Sequence, residues 1–302
     1  MTTYKVSYVV LNYNRAARLR STLESIRQQD YPDKEIIVAD NGSTDGSVEM
    51  VRQEFPEAVL VTLGRNLGIA GRNAGIRAST GDYVLCLDND MTFLSLDVTR
   101  LAVERMEQQG EVAALSLFVA EPSNLEEFTP THWWHPRPRH RWQYAEFPTS
   151  HFNEAAVLFR KECLDQVGAY PEELFWACEE MDLALRILDA GWDILYFPPA
   201  KMLHNEPRGI LNVQANPRHA LITRNRFWIV LKHYPLPMAV RYIVPRVVLW
   251  GCRSVRYGYT GDFLRGLLQF LAKVPRILRT RQVIGPATVR RLREIETAGR
   301  AG

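Results

Sequence analysis

Cysteine is scarce in this chain of 302 residues, and its four cysteines (Cys86, Cys163, Cys178 and Cys252) form no CxxC pair. Reduced thiols in a cytosolic protein are therefore the simplest interpretation. The N-terminus has one lysine and a short apolar run, but not the longer apolar core and cleavage site of a signal peptide. No stretch reaches roughly 18 uncharged apolar residues, so we expect no membrane-spanning helix. These absences predict a cytoplasmic protein, either free or at the inner face of the cell membrane.

Acidic residues are rare in the last part of the chain. From Pro235 onward there are 13 Lys or Arg and 3 Asp or Glu, a net charge of +10. The rest of the chain has 24 basic and 31 acidic residues, a net charge of −7. This asymmetry predicts an anionic partner for the basic tail. No nucleic-acid recognition motif accompanies the charge, which disfavours nucleic acid as that partner.

The signatures of NAD- and ATP-binding loops are also absent. The glycine-rich stretch 64–73 matches neither GxGxxG nor GxxxxGK[ST], which counts against both cofactors. Its glycines would still allow close backbone approach at the start of a helix, and helix N-termini favour anions. Arg72, within this stretch, could approach a diphosphate there.

Strand and helix patterns alternate over the first ninety or so residues. Short β-branched runs predict strands at 6–11, 35–39, 58–63 and 82–87, with helices between them. This order predicts an α/β fold with a parallel, doubly wound sheet. After residue 97 the pattern is less regular, and a long loop is predicted at 121–149. The remaining predicted strands are 112–119, 155–159 and 193–205.

Two carboxylates follow the fourth predicted strand, in Asp88-Asn89-Asp90. Because residues two apart in an extended segment point to the same side, we expect Asp88 and Asp90 to act together at the carboxyl edge of the sheet, where open α/β sheets bind ligands. Two close carboxylates repel unless a cation lies between them or one is protonated. Oxygen ligands suit Mg²⁺ or Mn²⁺, whose shells phosphate and water usually complete. The triplet predicts a metal–diphosphate site, with an ordinary acidic turn as the alternative.

Asp40 follows the second predicted strand and begins the turn-rich segment DNGSTDGS. It could accept hydrogen bonds from a base or a ribose. It could also form an Asx turn that leads into the next helix, since Asn-Gly is a common turn pair. The two roles do not exclude each other.

Glu179, Glu180 and Asp182 open a predicted amphipathic helix. Acidic residues in a first turn often only stabilise the helix dipole, by about 0.3–1 kcal/mol each. A carboxylate here could instead act as general base for a sugar hydroxyl, a role worth roughly 10²–10⁴ in rate. His204, just beyond the last predicted strand, could complete a metal site or contact a phosphate, although a lone histidine is more often a surface or packed residue.

These pieces, in this order, resemble a family 2 glycosyltransferase of the GT-A fold, and in kind a bacterial rhamnosyltransferase-like member acting on surface polysaccharides. The resemblance covers Val6 to Asn205, about two-thirds of the chain. The matching stretches are VSYVVLNYN, EIIVADNGSTDGS, GRNLGIAGRNAGIRASTGDYVLCLDND and FWACEEMDLALRILDAGW. The fold implied is a Rossmann-like, mostly parallel sheet flanked by helices, with a helical C-terminal extension.

The resemblance implies roles for the residues that bind the donor. Asn12 and Tyr13 lie in the first nucleotide-contact loop, and Asp40 faces the base. Asp88 would face the ribose or the metal, and Asp90 would bind the Mn²⁺ or Mg²⁺ that bridges the diphosphate. The implied donor is a UDP-, dTDP- or GDP-linked sugar.

The catalytic positions depart from the family pattern in two places. Glu180 stands where family members usually have the catalytic Asp of a Glu-Asp pair, so the base is Glu180 or, as the alternative, Glu179. His204 matches the late histidine near the diphosphate but is followed by NEPRG instead of a glycine- and serine-bearing stretch. The implied reaction is a single in-line displacement that inverts the anomeric carbon, by a hexosyl- or deoxyhexosyltransferase.

Tryptophans in the long loop are candidates for contact with a saccharide or lipid-linked acceptor. Trp133, Trp134 and Trp142 could stack on sugar rings, or they could pack into the domain. Asp182, on the predicted helix, is a further acceptor candidate. The acceptor would belong to surface polysaccharide or glycolipid assembly.

The sequence predicts two regions: a catalytic domain at 1–215 and a helical basic region at 216–302. The first divides into a nucleotide-binding half, about 1–97, and an acceptor half, about 98–215. The basic region mixes Leu and Phe with Arg, as in helices that lie on anionic membranes. A pair of helices buried on the catalytic domain, with a solvated Arg face, is the alternative.

Two other functions compete with glycosyl transfer. A non-catalytic module that binds nucleotide sugars or glycans with the same fold is disfavoured by the presence of Asp88, Asp90, Glu180 and His204. A sugar nucleotidyltransferase would need a Gly- and Lys-rich triphosphate loop near the N-terminus, where this chain has LNYNRAARL.

Overall fold

The computed structural model describes residues 4–130, 133–205 and 218–298. In this part of the chain a single nine-stranded sheet has helices on both faces. The strands are β1 (Val6–Asn12), β2 (Lys34–Asp40), β3 (Val59–Thr62), β4 (Tyr83–Asp88), β5 (Met91–Phe93), β6 (Val112–Ala120), β7 (Phe147–Pro148), β8 (Ala156–Arg160) and β9 (Asp193–His204). The helices are α1 (Ala16–Arg27), α2 (Ser47–Glu54), α3 (Ala70–Ala78), α4 (Val98–Glu107), α5 (Arg139–Trp142), α6 (Lys161–Val167), α7 (Glu179–Asp189), α8 (Arg218–His233), α9 (Leu236–Tyr257), α10 (Thr260–Arg279) and α11 (Pro286–Ala298).

The strand order is β3-β2-β1-β4-β8-β6-β9-β5, and β7 pairs with β9. The first four strands in this order are parallel, β8 is antiparallel to both of its neighbours, and β5 and β7 are antiparallel to β9. The register places Asn12 beside Asp40 and Leu11 beside Asp88. The carboxyl ends of β1, β2 and β4 therefore meet at one edge, which is where sheets of this kind bind ligands.

The core lies in two layers because successive strand residues point to opposite faces. Val6, Tyr8 and Val10 pack in one layer with α1, α2 and α4, whereas Val9 packs in the other with α3, α6 and α7. Apolar residues of α8, α10 and α11 belong to this second layer. The C-terminal helices are thus packed against the sheet domain.

The predicted α/β fold class is confirmed with a mixed sheet, and the seven predicted strands are present with ends within about two residues. Two short strands, β5 and β7, were not predicted from the sequence, and the predicted loop 121–149 contains α5 and β7. The predicted boundary at 215 and 216 falls outside the described residues, so the division into two regions stays a prediction. Among the helices that the structure describes, none combines the length and apolar character needed to cross a membrane.

Candidate active site

A buried hydrogen-bond network joins the ends of β1, β2 and β4. Asn12, fully buried, donates from Nδ2 to Asp40 Oδ2 (2.9 Å) and accepts at Oδ1 from Asn89 Nδ2 (2.7 Å). Asp40 also accepts from the backbone N–H groups of Gly42 (3.0 Å) and Ser43 (2.8 Å), which is the Asx-turn role. A contact between Asp40 and a base stays a prediction. Tyr13 follows this network and is 44 % exposed.

The glycine-rich loop packs against the segment that leads into α7. Gly68 has φ +60°, and a Cβ there would lie 2.0 Å from the carbonyl oxygen of Phe175. Asn41 Nδ2 donates to the carbonyl of Gly68 (2.9 Å), and the N–H of Ile69 donates to the carbonyl of Phe175 (2.7 Å). Only glycine fits Gly68 without strain, since it lacks the Cβ that would collide. The loop therefore connects the carboxyl edge of the sheet with the segment before α7.

Arg72 is a buried cation at this edge. Its side chain is 1 % exposed, and Nη2 donates to Asp88 Oδ1. The guanidinium lies 6.0 Å from the centre of the Tyr170 ring. Burial alone would lower the pKa of Arg72, but the charge of Asp88, its hydrogen bond and smaller contributions from Tyr170 and Cys86 together outweigh burial and raise the pKa, so the side chain stays charged. Among the described residues, Nε and Nη1 have no hydrogen-bond partner, which leaves donors for an anion.

Asp88 and Asp90 do not act from one extended segment. β4 ends at Asp88, and residues 89 and 90 form a turn before β5, so the rule that places residues two apart on one side does not apply. The expectation that Asp88 and Asp90 lie in one extended segment is therefore wrong. Asp88 is paired with Arg72, whereas Asp90 Oδ1 lies 3.5 Å from His204 Nε2. Arg15 Nη1 lies 3.6 Å from Asp90 Oδ2.

His204 reaches Asp90 because β9 is long and pairs with β5. The register of β9 on β6 skips from Phe197 to Lys201 at Pro198-Pro199, since proline cannot donate to the ladder. β9 then continues to His204, which lies opposite Met91 of β5. His204 and Asp90 are both nearly buried. The strand pairing thus places the two candidate metal ligands together.

The predicted set of three metal ligands, Asp88, Asp90 and His204, is not assembled. Within residues 4–130, 133–205 and 218–298, no three His, Cys, Asp or Glu side chains are close enough to hold a metal ion by themselves. Asp90 and His204 lie together as a pair of candidate ligands. Such a pair fits Mn²⁺ or Mg²⁺, because these ions commonly take one or two protein ligands together with substrate phosphates and water.

Three carboxyl groups meet at the start of α7. Glu179 is 2 % exposed, and burial together with the charge of Glu154 raises its pKa to about 8. Glu180 is half-buried, and burial, then the charges of Glu154 and Glu179, raise its pKa well above the ordinary range. Glu154 and Glu180 share a side-chain hydrogen bond, which requires a proton between the two carboxyls. Groups with raised pKa values near a ligand edge are suited to proton transfer.

Glu154 was not predicted from the sequence. It lies two residues before β8, and the carbonyl of the next residue, Ala155, accepts from the N–H of Asp88 (3.2 Å). Because β8 is antiparallel to β4, its beginning lies at the edge where β4 ends. The sequence pattern predicts that β8 is a strand but does not predict its direction, so it could not place Glu154 at the site.

Asp182 faces away from the site. It is 1 % exposed, and its carboxylate lies 2.6 Å from His233 Nε2, 3.0 Å from Lys232 Nζ and 2.8 Å from Arg186 Nε. Burial alone would raise its pKa, but the hydrogen bond and charge of His233, with Arg186 and Lys232, outweigh burial and lower it. Asp182 thus joins α7 to α8, and with its oxygens occupied we do not assign it to the acceptor.

The three tryptophans of the predicted loop differ in their surroundings. Trp133 packs in an aromatic cluster that includes Phe147 and Tyr196, and its Nε1 donates to the carbonyl of Arg137 (2.6 Å). Trp142 packs on Phe147, with the Arg137 guanidinium 4.0 Å from its ring. These two side chains serve the packing of the domain. Trp134 is 54 % exposed and is the one of the three that presents a large face to solvent.

Comparison with known proteins agrees with this geometry. The sequence profile described as Glycosyl transferase family 2 matches residues 7–168. The chain is 26 % identical over 233 residues to an N-acetylglucosaminyl-diphospho-decaprenol L-rhamnosyltransferase of Mycobacterium tuberculosis, covering 66 % of this chain and 75 % of the relative. It is 31 % identical over 181 residues to the uncharacterized glycosyltransferase YwdF of Bacillus subtilis, covering 57 % and 65 %.

Solved structures share the fold. A mannosyltransferase from Pyrobaculum calidifontis, in complex with GDP-Man and Mn²⁺, superimposes with a TM-score of 0.61 and 19 % identity, covering 99 % of this chain and 84 % of that one. Residues 1–349 of S. aureus TarS, in complex with UDP, superimpose with a TM-score of 0.58 and 15 % identity, covering 99 % and 92 %. The fold is therefore GT-A. Since the family profile spans more than half of the sequence, the chain belongs to glycosyltransferase family 2 and is a glycosyltransferase.

Proposed function

We propose that this glycosyltransferase moves a hexosyl or deoxyhexosyl group from a nucleotide diphosphate sugar to an acceptor hydroxyl, with inversion at the anomeric carbon. The observation that carries the proposal is the meeting of three features at one sheet edge. These are the buried Arg72–Asp88 ion pair, the Asp90–His204 pair, and the carboxyl cluster that includes Glu180. Together they supply donors for a diphosphate, ligands for a cation and a base.

The donor would bind across the carboxyl ends of β1, β2 and β4. Asn12 and Asp40, which are hydrogen-bonded to each other, would fix the loops around the base, and the exposed Tyr13 would cover it. Arg72 would donate its remaining N–H groups to the diphosphate, while Asp88 would face the ribose. A UDP-, dTDP- or GDP-linked sugar fits this arrangement. Solved relatives of the fold carry GDP-Man and UDP.

Asp90 and His204 would hold Mn²⁺ or Mg²⁺ together with the donor phosphates. Asp90 Oδ1 and His204 Nε2 lie 3.5 Å apart and both side chains are buried, which suits a shared cation. When bound, the cation would neutralise charge on the leaving diphosphate, as a Lewis acid. Arg15, 3.6 Å from Asp90, would add positive charge on the same side.

Glu180 would act as the general base, with Glu179 as the alternative. The carboxylate takes the proton of the acceptor hydroxyl as that oxygen attacks the anomeric carbon. The bond from the anomeric carbon to the diphosphate oxygen breaks in the same step, and the diphosphate leaves with the electron pair. One displacement of this kind inverts the configuration. Glu154, which is hydrogen-bonded to Glu180, would hold the Glu180 carboxyl near the point of transfer.

The acceptor would be a saccharide or a lipid-linked saccharide of a bacterial surface polysaccharide or glycolipid. The rhamnosyltransferase relative, whose name contains a diphospho-decaprenol, supports the lipid-linked class. Trp134 presents an exposed ring that could stack on a sugar. The acceptor oxygen must reach Glu180, so its site lies on the α7 side of the donor edge.

Contact with the membrane would come from the C-terminal helices. Helices α9 and α10 carry eight Lys or Arg and one acidic residue, Asp262, and present apolar side chains to solvent. On α10 the exposed leucines recur at helical spacing beside Arg265 and Arg276, as in helices that lie in an anionic membrane surface. The exposed aliphatic residues are Leu236, Val240, Val244, Val248, Leu249 and Val255 of α9 and Leu264, Leu268, Leu271 and Leu278 of α10.

The donor site is tested by thermal melting of the purified protein with UDP, dTDP and GDP, each with Mn²⁺, Mg²⁺ or EDTA. A nucleotide at about a hundred times its Kd should add roughly 2.7 kcal/mol of stability. We expect one nucleotide to stabilise the protein only with metal, and Asp90→Asn to remove that effect. Asp165→Asn, an exposed carboxylate on α6, is the control.

Transfer itself is then measured with the matching sugar donors. Stabilisation together with turnover of a donor supports the proposal. A folded protein that no nucleotide stabilises would contradict the donor site. A nucleotide that stabilises the protein without turnover of any donor would favour the non-catalytic binding module instead.

A further inference from the structure

The segment that leads into the catalytic helix has an unfavourable backbone conformation. Phe175, Ala177 and Cys178 have φ values of +64°, +73° and +66°. This is the left-handed region, which side chains other than glycine rarely adopt, and a cluster of such residues persists only where the surroundings hold it. Cys178 is the residue immediately before Glu179, so the conformation of this segment sets where Glu179 and Glu180 lie.

A single amide from α8 holds most of this segment. Asn225 is fully buried, and its Nδ2 lies 3.2 Å from the carbonyl oxygen of Leu174, 2.9 Å from that of Trp176 and 2.7 Å from that of Ala177. Arg224 Nη2 donates to the carbonyl of Leu174 as well (2.7 Å). The carbonyls of three residues therefore converge on one NH₂ group.

The orientation of the Asn225 amide is fixed from its other end. Arg224 Nε donates to Asn225 Oδ1 (2.7 Å), so the amide oxygen is occupied and the NH₂ group faces the carbonyls. From the opposite side, the N–H of Ile69 donates to the carbonyl of Phe175. The segment is thus held between the glycine-rich loop at the donor edge and a helix from the C-terminal region.

We propose that Asn225 is a positioning residue for catalysis: it holds 174–178, three of whose residues are left-handed, and thereby places Glu180 at the donor edge. This inference rests on the proposed role of Glu180 as base. It makes α8 part of the catalytic machinery, although α8 lies beyond the segment matched by the family profile. The residue type follows from the chemistry, because the carbonyls require a donor, and an aspartate would place a negative oxygen against them.

The first test compares Asn225→Ala and Asn225→Asp with wild type. We expect kcat to fall by about tenfold to a hundredfold, because small displacements of catalytic groups have effects of this size, while the Kd of the donor nucleotide changes by less than about threefold. Gln29→Ala is the matched control: Gln29 is also buried and donates to a backbone carbonyl, that of Ser95 (2.7 Å). A loss of kcat in Asn225→Ala no larger than in Gln29→Ala at equal stability would overturn the proposal.

The second test is rescue by glycine. Ala177→Gly removes one methyl group and lets residue 177 adopt φ +73° without steric cost. In the Asn225→Ala background, Ala177→Gly should restore part of the lost kcat, because a glycine at 177 adopts the left-handed conformation without the hydrogen bonds of Asn225. A purely structural loss would not be restored. Failure of the glycine to restore any activity contradicts the positioning role.

Amide hydrogen exchange separates this inference from the proposed function. Peptides that contain 174–178 should exchange faster in Asn225→Ala than in wild type and Gln29→Ala, in the absence of any substrate. If wild type transfers no sugar, the proposed function fails. The exchange result still tests whether Asn225 holds residues 174–178. If Asn225→Ala leaves exchange in this segment unchanged, Asn225 does not hold the segment, and the inference is refuted whatever activity the variant has.

Discussion

The raised pKa of Glu180 has a direct consequence for the pH dependence of transfer. A general base must be ionised, and burial together with Glu154 and Glu179 raises the pKa of this carboxyl. As pH rises through that pKa, the carboxylate form and hence kcat increase. We expect the acidic limb of the kcat profile to lie above the ordinary range of a glutamate carboxyl, because the pKa of Glu180 is raised. Initial rates between pH 5 and 10 measure this limb, and a profile that is flat above pH 5 would contradict it.

Replacement of the base gives a second, separate expectation. Glu180→Gln keeps the shape of the side chain but cannot accept the proton, so kcat should fall by roughly 10²–10⁴. The nucleotide Kd should stay within a few-fold of wild type, because the proposed donor contacts lie on other residues. Glu162→Gln, an exposed carboxylate on α6, should leave both constants unchanged. Equal loss in Glu179→Gln with normal kcat in Glu180→Gln would assign the base to Glu179.

Glu179 should also make the protein less stable at alkaline pH. Its folded-state pKa of about 8 lies above the ordinary value, so the unfolded chain releases this proton first. The contribution of this proton to the free energy of unfolding is fully present at acidic pH, and it is lost as pH rises from about 4.5 to about 8. Glu179→Gln removes this dependence. Melting with EDTA should therefore show a Tm increase for Glu179→Gln that is larger at pH 8 than at pH 5, by at least about 2 °C.

Among the elements, the glycine-rich loop offers a matched pair of variants. Gly64 and Gly68 both have positive φ, but a Cβ on Gly64 meets open space, whereas one on Gly68 would lie 2.0 Å from the carbonyl oxygen of Phe175. Gly64→Ala should cost about 1–2 kcal/mol from backbone strain alone. Gly68→Ala should cost more and should also lower kcat, because it displaces the segment before α7. Denaturant unfolding and initial rates of both variants measure the difference, and equal effects would contradict the contact.

The parts of the fold that could be predicted are those recorded in local periodicity. β1, β2 and β4 are apolar, β-branched runs, and α7 has a clear apolar stripe, so their positions follow from sequence alone. Strand direction is not local. β8 is antiparallel because of what it pairs with, and β5 and β7 have only three and two residues, which is too short for a periodic signal.

In the candidate site, too, the residues at strand ends could be predicted from the sequence. Side chains at the ends of parallel strands, such as Asp40 and Asp88, could be placed at one edge. The partners that decide their geometry could not, because Arg15, Glu154 and Asn225 come from segments that meet the edge only after folding. Asp90 was expected beside Asp88 since a strand was assumed to continue through it, whereas the chain turns at residues 89 and 90.

At the scale of the whole molecule, basic residues and exposed apolar side chains are concentrated on α9 and α10. This surface predicts reversible binding to vesicles. The exposed leucines of α10 would insert beside cationic side chains, so binding should require anionic lipid and weaken with salt. Leu268, 66 % exposed, should contribute 1.5 kcal/mol or more on burial, so Leu268→Glu should weaken binding by about tenfold or more. Sedimentation with vesicles of neutral lipid alone or with added anionic lipid measures this.

The control for that experiment lies on the body of the protein. Leu96 is 58 % exposed but precedes α4, away from the basic helices. Leu96→Glu should bind vesicles as wild type does. Equal binding of Leu268→Glu and wild type to anionic vesicles would refute the membrane surface, and equal loss in both variants would show that the effect is one of net charge.

The reach of α8 back to residues 174–178 also fixes an order of events during synthesis. Domains begin to fold as the chain emerges, N-terminal part first. Once β9 is made, all the strands that the structure describes and the Asp90–His204 pair are available, but Asn225 has yet to appear. The carboxylates of α7 would then be the last part of the site to reach their final positions. A nascent chain of this length would have a complete donor edge with its base still out of place.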